Sequence, residues 1–215
     1  MIKQLHLDFS LRDDATFINY VGEAAEILMQ KNQWLYVWGK PGTGRSHLLQ
    51  AVCHYKKNSI YLTSLKQHQS EILKGLESVD VICIDDIQEV LEDSVWEEAL
   101  FHLMNAVVDS GKQIILAGNK PASQLKVKLA DLHSRLIAAT AVETDNLSDS
   151  QKLVVLTNRA EAQGYRLSPE VGSFILSRSH RDMRKLMEIL GSLEKETLSQ
   201  GKIVTIPFVK QILKL

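Results

Sequence analysis

Short apolar runs separated by longer amphipathic segments dominate the first part of the chain. Five such runs cover residues 34–38, 59–63, 79–85, 113–117 and 140–143. Strands that are apolar along their whole length are typical of a parallel sheet whose two faces are covered by helices. After Ser94 the apolar residues recur at helical spacing, which makes Ser94 the predicted N-cap of a helix. The pattern predicts an α/β core.

Helical signals continue beyond this core, whereas strand signals stop. Ser148 with Gln151 has the pattern of a capping box, and Ser168 followed by Pro169 is typical of an N-cap and a first helical turn. We therefore expect an α/β core at residues 13–147 and an all-helical domain at residues 148–215. Residues 1–12 form a separate N-terminal peptide in this interpretation.

The composition fits a globular protein, with 45% hydrophobic and 24% charged residues. No apolar run is long enough to cross a bilayer, and the first residues lack the pattern of a signal peptide. We therefore expect a cytoplasmic protein without a membrane partner. Cys53 and Cys83 have no metal-binding spacing and are expected to be buried free thiols.

Charge is distributed unevenly along the chain. Residues 1–150 contain 14 Lys or Arg and 20 Asp or Glu, whereas residues 151–215 contain 11 and 6. This asymmetry is compatible with a homo-oligomer, with an acidic partner, or with two ordinary solvated surfaces. Because no dense basic tract is present, strong direct binding to duplex DNA is not expected.

A glycine-rich segment, GKPGTGRSH at residues 39–47, follows the first apolar run. In the pattern GxxxxGK[ST], backbone N–H groups surround phosphate, the lysine neutralises its charge, and the hydroxyl binds magnesium. Gly39, Gly44 and Ser46 occupy their places here, but Arg45 replaces the lysine. A guanidinium pairs with phosphate as a broad fork, so nucleotide binding is expected to survive better than hydrolysis. A purely structural glycine turn is the alternative.

Two carboxylates follow the third apolar run in the sequence VICIDDIQ. In a P-loop ATPase, the first acid after this strand helps to hold magnesium, which indicates Asp85 together with Ser46. The next residue, Asp86, is then available to orient the attacking water. An acidic pair at a strand end is weak evidence alone, but after a P-loop it predicts a nucleotide site.

These motifs resemble the nucleotide-binding module of bacterial DnaA, in the initiator branch of the AAA+ superfamily. The resemblance implies an AAA+ P-loop core with a parallel five-stranded sheet flanked by helices, plus a small C-terminal all-α lid domain. It also implies bound ADP or ATP, with magnesium on Ser46 and Asp85. Asn119 stands where DnaA usually has the sensor-one aspartate. The implied nucleotide-binding residues are Phe17, Tyr20, Val21, Gly39, Gly42, Thr43, Gly44, Arg45, Ser46, His47, Asp86, Asn119 and Arg184.

Two arginines match further functional elements of DnaA. The segment DLHSRL at residues 131–136 resembles the one that carries the arginine finger, which implies that Arg135 completes the active site of another molecule. The segment MRKL at residues 183–186 resembles the sensor-two helix and points to Arg184. Solvated surface charges are the alternative for both arginines.

The N-terminus contains a pattern that resembles the QLxLxF peptide with which bacterial proteins bind the replication sliding clamp. Its implied contact residues are Gln4, Leu5, Leu7 and Phe9. An extended peptide of this kind places apolar side chains in pockets, while the Gln4 amide fixes the register. An ordinary edge strand is the alternative.

This combination of features is similar to the Hda family. The features are a DnaA-like module, an arginine in its P-loop and a clamp-binding peptide, with no helix-turn-helix DNA-binding domain expected. This resemblance implies a negative regulator of replication initiation that binds the DNA polymerase III sliding clamp. It would use Arg135 to stimulate hydrolysis of DnaA-bound ATP, with weak or no ATPase of its own and mainly indirect DNA contact. The alternatives are an AAA+ helicase loader or another DnaA-like assembly factor, and an autonomous P-loop NTPase or kinase.

Overall fold

The computed structural model of the chain describes residues 11–30, 33–144, 146–179, 182–200 and 203–213. The residues of the predicted clamp peptide, Gln4, Leu5, Leu7 and Phe9, lie outside these ranges. In chain order the helices and strands are α1 (Ala24–Met29), β1 (Trp34–Trp38), α2 (Arg45–Tyr55), β2 (Ser59–Leu62), β3 (Val81–Ile84), α3 (Ser94–Asp109), β4 (Gln113–Gly118), α4 (Ala130–Ala138), β5 (Thr140–Glu143), α5 (Asp149–Ala162), α6 (Pro169–Arg178), α7 (Met183–Gln200) and α8 (Ile206–Leu213).

The five strands form one parallel sheet in the order β2-β3-β4-β1-β5, which confirms the predicted sheet. In β3 all four residues are buried, as expected for a strand covered on both faces. Because the carboxyl ends of parallel strands lie at one edge of a sheet, the segments after β1, β3 and β4 meet there. This edge brings together the glycine-rich loop, the acidic pair and Asn119.

The helix α3 packs its apolar face into the core of this unit. Trp96, Leu100 and Met104, spaced four residues apart, are each less than 10% exposed. The prediction that Ser94 caps this helix is wrong, because Asp93 takes that position. The Asp93 carboxylate accepts hydrogen bonds from the backbone N–H groups of Val95 at 2.9 Å and Trp96 at 3.5 Å, whereas Ser94 is already helical.

The described residues divide into two compact units. The first contains residues up to Phe17 together with Glu23–Thr144, and the second contains Ile18–Gly22 and the residues that follow Thr144. The helices of the second unit surround a cluster of buried apolar side chains. The members of this cluster include Leu156, Ile175, Leu186, Leu190, Leu193 and Val209.

The helix starts of the second unit follow the sequence signals. The Ser148 side chain accepts from the Gln151 N–H while the Gln151 side chain accepts from the Ser148 N–H, which confirms the predicted capping box. Ser168 caps α6, with Pro169 in the first turn. Among the described residues, no helix has the length and apolar character needed to span a membrane.

Candidate nucleotide-binding site

The glycine-rich loop connects β1 to α2 and ends at the N-terminus of that helix. Gly44 is the N-cap residue, with a φ of 94°, a left-handed conformation that favours glycine because it has no Cβ. No side chain caps the helix, and the Gly44 carbonyl accepts from the Leu48 N–H at 2.9 Å. The N–H groups of the first helical turn therefore face the loop, an arrangement that binds anions such as phosphate.

A threonine beyond β5 holds the base of this loop. The Thr43 hydroxyl donates to the Lys40 carbonyl at 2.8 Å and lies 2.6 Å from the Thr144 hydroxyl. A Cβ at Gly39 would lie only 2.0 Å from Thr144 Oγ1, so this position accepts glycine alone. Thr43, predicted to bind nucleotide, is buried and uses its hydroxyl within the loop. Thr144 was not predicted from the sequence, because it lies 101 residues away from its partner Thr43.

Ser46 and Asp85 lie together, as the predicted magnesium site requires. Asp85 is 1% exposed. Its Oδ1 accepts from the Asp86 N–H and its Oδ2 from the Tyr61 hydroxyl, each at 2.9 Å. Burial raises the pKa of the Asp85 carboxyl above its ordinary value, and a side-chain hydrogen bond with Ser46 opposes that rise. Desolvation disfavours the ionised form of this carboxyl group, and a bound cation would stabilise that form.

The donor set fits magnesium, which prefers hydroxyl, carboxylate and water oxygens. Among the described residues, no cluster of three or more His, Cys, Asp and Glu side chains could hold a metal ion. Because Ser46 and Asp85 supply only two ligands, magnesium held there would need further oxygen ligands, which phosphate and water can provide. This is the usual arrangement where the ion binds together with a nucleotide.

Arg45 and Asp86 contact each other at the same edge of the sheet. Arg45 Nη2 lies 3.0 Å from Asp86 Oδ1, and Arg45 is only 8% exposed. From the sequence, Arg45 is expected to contact phosphate and Asp86 to orient water. In the structure the two side chains form an ion pair with each other. Asp86 has a φ of 50°, an uncommon value for a residue other than glycine that is enriched at functional sites.

Gln88 joins this ion pair to the end of β4. Its Nε2 donates to Asp86 Oδ1 at 2.9 Å, and its Oε1 accepts from the Asn119 N–H at 3.2 Å. The residue assigned to sensor one is thus tied to the acidic pair through its backbone. Gln88 belongs to the motif VICIDDIQ, but no role was predicted for it from the sequence. A polar residue two positions after the acidic pair was the available signal.

The segment assigned to adenine contact is divided between the two units. In the first unit, the Phe17 ring lies edge to face with Tyr55, with centroids 6.0 Å apart. His47 Nε2 lies 2.8 Å from the Thr16 carbonyl oxygen, which ties this segment to α2. Tyr20 and Val21 belong to the second unit.

Arg184 also belongs to the second unit, where it is exposed in the first turn of α7. Its backbone N–H donates to Asp182 Oδ1 at 2.9 Å, and the Lys185 N–H donates to the same oxygen at 3.3 Å. Asp182 therefore caps the helix that presents Arg184.

Arg135, the predicted finger, lies on α4 against two aromatic rings. Its Cζ is 5.1 Å from the centroid of the Trp34 ring and 5.5 Å from that of Phe101. Trp34 is the first residue of β1, whereas the glycine-rich loop follows Trp38 at the other end. A five-residue strand spans about 13 Å between its terminal Cα atoms at ~3.3 Å per residue. Arg135 therefore lies toward the end of β1 opposite the chain's own loop.

A buried carboxylate on α3 holds the start of α4. Glu97 is 0% exposed. Its Oε1 accepts from the Glu92 N–H at 2.8 Å, its Oε2 accepts from the Leu129 N–H at 2.7 Å, and both oxygens lie within 3.1 Å of the Lys128 N. Leu129 is the N-cap of α4, so Glu97 fixes the entry to the helix that carries Arg135. Sequence reasoning missed it, since a glutamate in a first helical turn is ordinarily a surface residue.

Comparison with known proteins assigns both units to families. Residues 16–143 match the model of the bacterial DnaA ATPase domain, and residues 149–213 match that of the Hda lid domain. The chain belongs to the Hda family. An uncharacterized protein of Haemophilus influenzae is 37% identical over 231 residues, and the match covers 100% of each of the two chains.

Solved structures of DnaA share the fold of this Hda-family chain. Domain III of Thermotoga maritima DnaA is 23% identical with a TM-score of 0.79, covering 95% of this chain and 98% of that one. AMPPCP-bound DnaA from Aquifex aeolicus is 25% identical with a TM-score of 0.72, covering 90% and 70%. These structures confirm the predicted fold, and the family models confirm the predicted family.

Proposed function

We propose that this protein is a regulator of DnaA that binds the DNA-loaded sliding clamp and stimulates hydrolysis of DnaA-bound ATP through Arg135. The conversion would leave DnaA with ADP and so restrain replication initiation. The observation that carries the proposal is the position of Arg135, on a helix of a DnaA-like domain and toward the end of β1 opposite the domain's own glycine-rich loop. A finger in that position is available to a neighbouring molecule.

The chain's own nucleotide, ADP or ATP, has a structural role in this proposal. The open N-terminus of α2 and the adjacent Ser46 and Asp85 support adenine nucleotide binding, with magnesium screening the phosphate charge. The relative from Aquifex aeolicus binds AMPPCP, which supports the same expectation. Arg45 stands where a P-loop has lysine, and a broad guanidinium cannot take the place of a compact ammonium inside the loop. This replacement supports weak or no hydrolysis by the chain itself.

The aromatic contacts of Arg135 favour a role as a finger. A guanidinium over the faces of Trp34 and Phe101 keeps its charge and its planar orientation. Such an arginine stabilises negative charge that develops on the transferred phosphoryl group, and fingers supplied by another molecule accelerate related reactions by about 10³- to 10⁵-fold. Arg135 would supply this charge to the ATP bound by DnaA.

Residues 4–9 provide the proposed link to the DNA polymerase III sliding clamp. The support for this part is the sequence QLHLDF, in which Leu7 and Phe9 are the apolar anchors. Docking on a clamp already loaded on DNA would make DNA contact mainly indirect.

The deciding assay mixes DNA-loaded clamp and ATP-bound DnaA with each variant and follows conversion of ATP to ADP. We expect Arg135→Ala to lower the stimulated rate by about 10³-fold, while ADP binding and clamp binding are retained. Arg135→Lys should recover little, because an ammonium lacks the guanidinium fork. Arg166→Ala, which removes an exposed arginine of the second unit, is the matched control and should behave as wild type.

Two results would contradict the proposal in different ways. Stimulation at the wild-type rate by Arg135→Ala would place the finger at another residue. A wild-type chain that binds loaded clamp but leaves DnaA-bound ATP intact would overturn the proposed function itself. Thermal unfolding of each variant separates these results from loss of the fold, because removing the contacts of Arg135 with two rings costs about 1 kcal/mol.

A further inference from the structure

The ion pair between Arg45 and Asp86 occupies the guanidinium that the proposed nucleotide site would offer to phosphate. Arg45 is the first residue of α2 and lies directly after the glycine-rich loop. Its Nη2 is 3.0 Å from Asp86 Oδ1, and the Arg45 side chain is only 9% exposed. In this position the arginine balances a protein carboxylate. A phosphate that binds through Nη2 must therefore replace Asp86 as the partner of that nitrogen.

The arginine is incompletely satisfied where it stands. Arg45 Nη1 is buried and has no hydrogen-bond partner among the described residues. A buried donor without an acceptor has lost its hydration without replacement, which disfavours the conformation that buries it. A phosphate group accepts several hydrogen bonds from a guanidinium. Movement of Arg45 toward phosphate would therefore relieve an existing cost as well as break one ion pair.

Asp86 is held in place from a second side. Its left-handed backbone, with φ 50° and ψ 46°, sets the direction of the carboxylate at the end of β3. Gln88 Nε2 donates to the oxygen that contacts Arg45, at 2.9 Å, while Gln88 Oε1 accepts from the Asn119 N–H at 3.2 Å. Asp86 would therefore keep one donor after Arg45 has left it. In that state the Gln88 amide would still donate to the Asp86 carboxylate.

We propose that Asp86 competes with nucleotide phosphate for Arg45 and thereby sets the affinity of the site. This inference rests on the nucleotide site proposed above. It gives the second acid of the pair a role in nucleotide retention rather than in orienting water. It also predicts that removing this acid strengthens nucleotide binding through Arg45 alone. A general reduction of negative charge near the phosphate would act without Arg45.

The test is a double-mutant cycle on the full chain, with ADP binding measured by calorimetry in the presence of EDTA so that no divalent cation contributes. We expect Asp86→Asn to lower the Kd for ADP by about three- to tenfold, the scale of a partly exposed ion pair. Arg45→Met should raise the Kd. In the Arg45→Met background, Asp86→Asn should change the Kd by less than about twofold, since the guanidinium for which Asp86 and phosphate compete is absent.

Adenosine, which has no phosphate, is the control ligand, and its affinity should not respond to Asp86→Asn. If Asp86→Asn strengthens ADP binding equally with and without Arg45, Asp86 acts by simple charge repulsion and the proposed competition is wrong. A wild-type chain that binds no adenine nucleotide would overturn the proposed site as well. Binding with additive effects would overturn the competition only.

A second cycle covers the case in which Arg45→Met does not fold, as judged by thermal unfolding. Gln88→Leu keeps both charges and removes the donor that remains on Asp86 when Arg45 leaves. We expect it to raise the Kd for ADP in the wild-type background by more than in the Asp86→Asn background. Equal effects of Gln88→Leu in the two backgrounds would overturn the proposal.

Discussion

At the residue scale, replacing lysine by arginine changes where a positive charge is placed. A planar guanidinium is broader than an ammonium and presents several donors in one plane. Arg45 thereby reaches Asp86 across the edge of the sheet. One substitution in the glycine-rich loop therefore affects the loop and the acidic pair together, although some 40 residues separate them in the sequence.

Gly44 offers a direct test of the loop. Its φ of 94° is a conformation in which an L side chain is strained, so Gly44→Ala should lower the free energy of unfolding by about 1–2 kcal/mol. It should also raise the Kd for ADP, because relaxation of this strain turns the first N–H groups of α2 away from the phosphate. Urea unfolding and calorimetry measure the two effects.

Gly75→Ala is the matched control for this substitution. Gly75 has a φ of 82°, and a Cβ there would meet nothing within 4 Å. It should therefore cost a similar amount of stability and leave ADP affinity unchanged. If both variants weaken ADP binding equally, the effect of Gly44→Ala is one of general stability and not of the loop.

At the scale of elements, the strand β1 connects the two sites on which the proposed function depends. The glycine-rich loop leaves its carboxyl end, and the Trp34 ring at its amino end lies against Arg135. A second connection runs through α3, whose Glu97 holds the entry to α4. The helix α4 is thus held both by the aromatic rings beside Arg135 and by the hydrogen bonds that its first N–H groups donate to Glu97.

Glu97→Gln tests the second of these connections. The amide has one acceptor oxygen in place of two, and its NH₂ group would face backbone donors that it cannot accept from. We expect a loss of about 2–3 kcal/mol in the free energy of unfolding, typical of hydrogen bonds to a charged group. Stimulation of DnaA-bound ATP hydrolysis should fall as well, while ADP affinity is retained.

Glu98→Gln provides the comparison, because Glu98 is the exposed neighbour of Glu97 on the same helix. This variant should match wild type in urea unfolding and in stimulated hydrolysis. If Glu97→Gln lowers stability but leaves the stimulated rate unchanged, Glu97 supports the fold without positioning Arg135.

Local patterns predicted the elements of this fold better than the contacts between them. The runs at 34–38 and 140–143 have the observed bounds, because apolar β-branched and aromatic residues end there at polar or glycine residues. The run at 79–85 was predicted too long, since Asp85 already lies beyond β3. The Ser94 cap was wrong because the neighbouring Asp93 has the extended backbone of an N-cap residue.

In the candidate site, too, local motifs were easier to predict than contacts between distant residues. Contiguous motifs, such as the glycine-rich loop and the acidic pair, were recognisable from spacing alone. The contacts of Thr144 with Thr43 and of Glu97 with Leu129 join residues 101 and 32 positions apart. Such pairs depend on the order of strands in the sheet, which local periodicity does not contain.

At the scale of the whole molecule, clamp binding by the proposed peptide can be tested apart from the nucleotide site. Leu7→Ala with Phe9→Ala should abolish binding to DNA-loaded clamp, because anchor residues carry most of the affinity of a short peptide, about 2 kcal/mol or more each. The unfolding midpoint and the Kd for ADP should stay at their wild-type values. Surface plasmon resonance on loaded clamp measures the loss.

Ile2→Ala is the control, since Ile2 is an apolar residue of the same segment outside the QLxLxF pattern. It should bind clamp as wild type does. Unchanged clamp affinity in the Leu7 and Phe9 double variant would show that another surface binds the clamp, while leaving the role of Arg135 open to its own test.

The contacts of Arg135 with two aromatic rings have a consequence for how often one molecule of the proposed regulator could act. Its guanidinium lies over the rings of Trp34 and Phe101, and such contacts stabilise by only about 0.5–1 kcal/mol at a partly exposed site. Leaving the rings for a partner's phosphate and returning to them afterwards therefore meets little resistance. In the proposed function, this weak hold on Arg135 would suit multiple turnovers, in which one clamp-bound chain serves many DnaA molecules in succession.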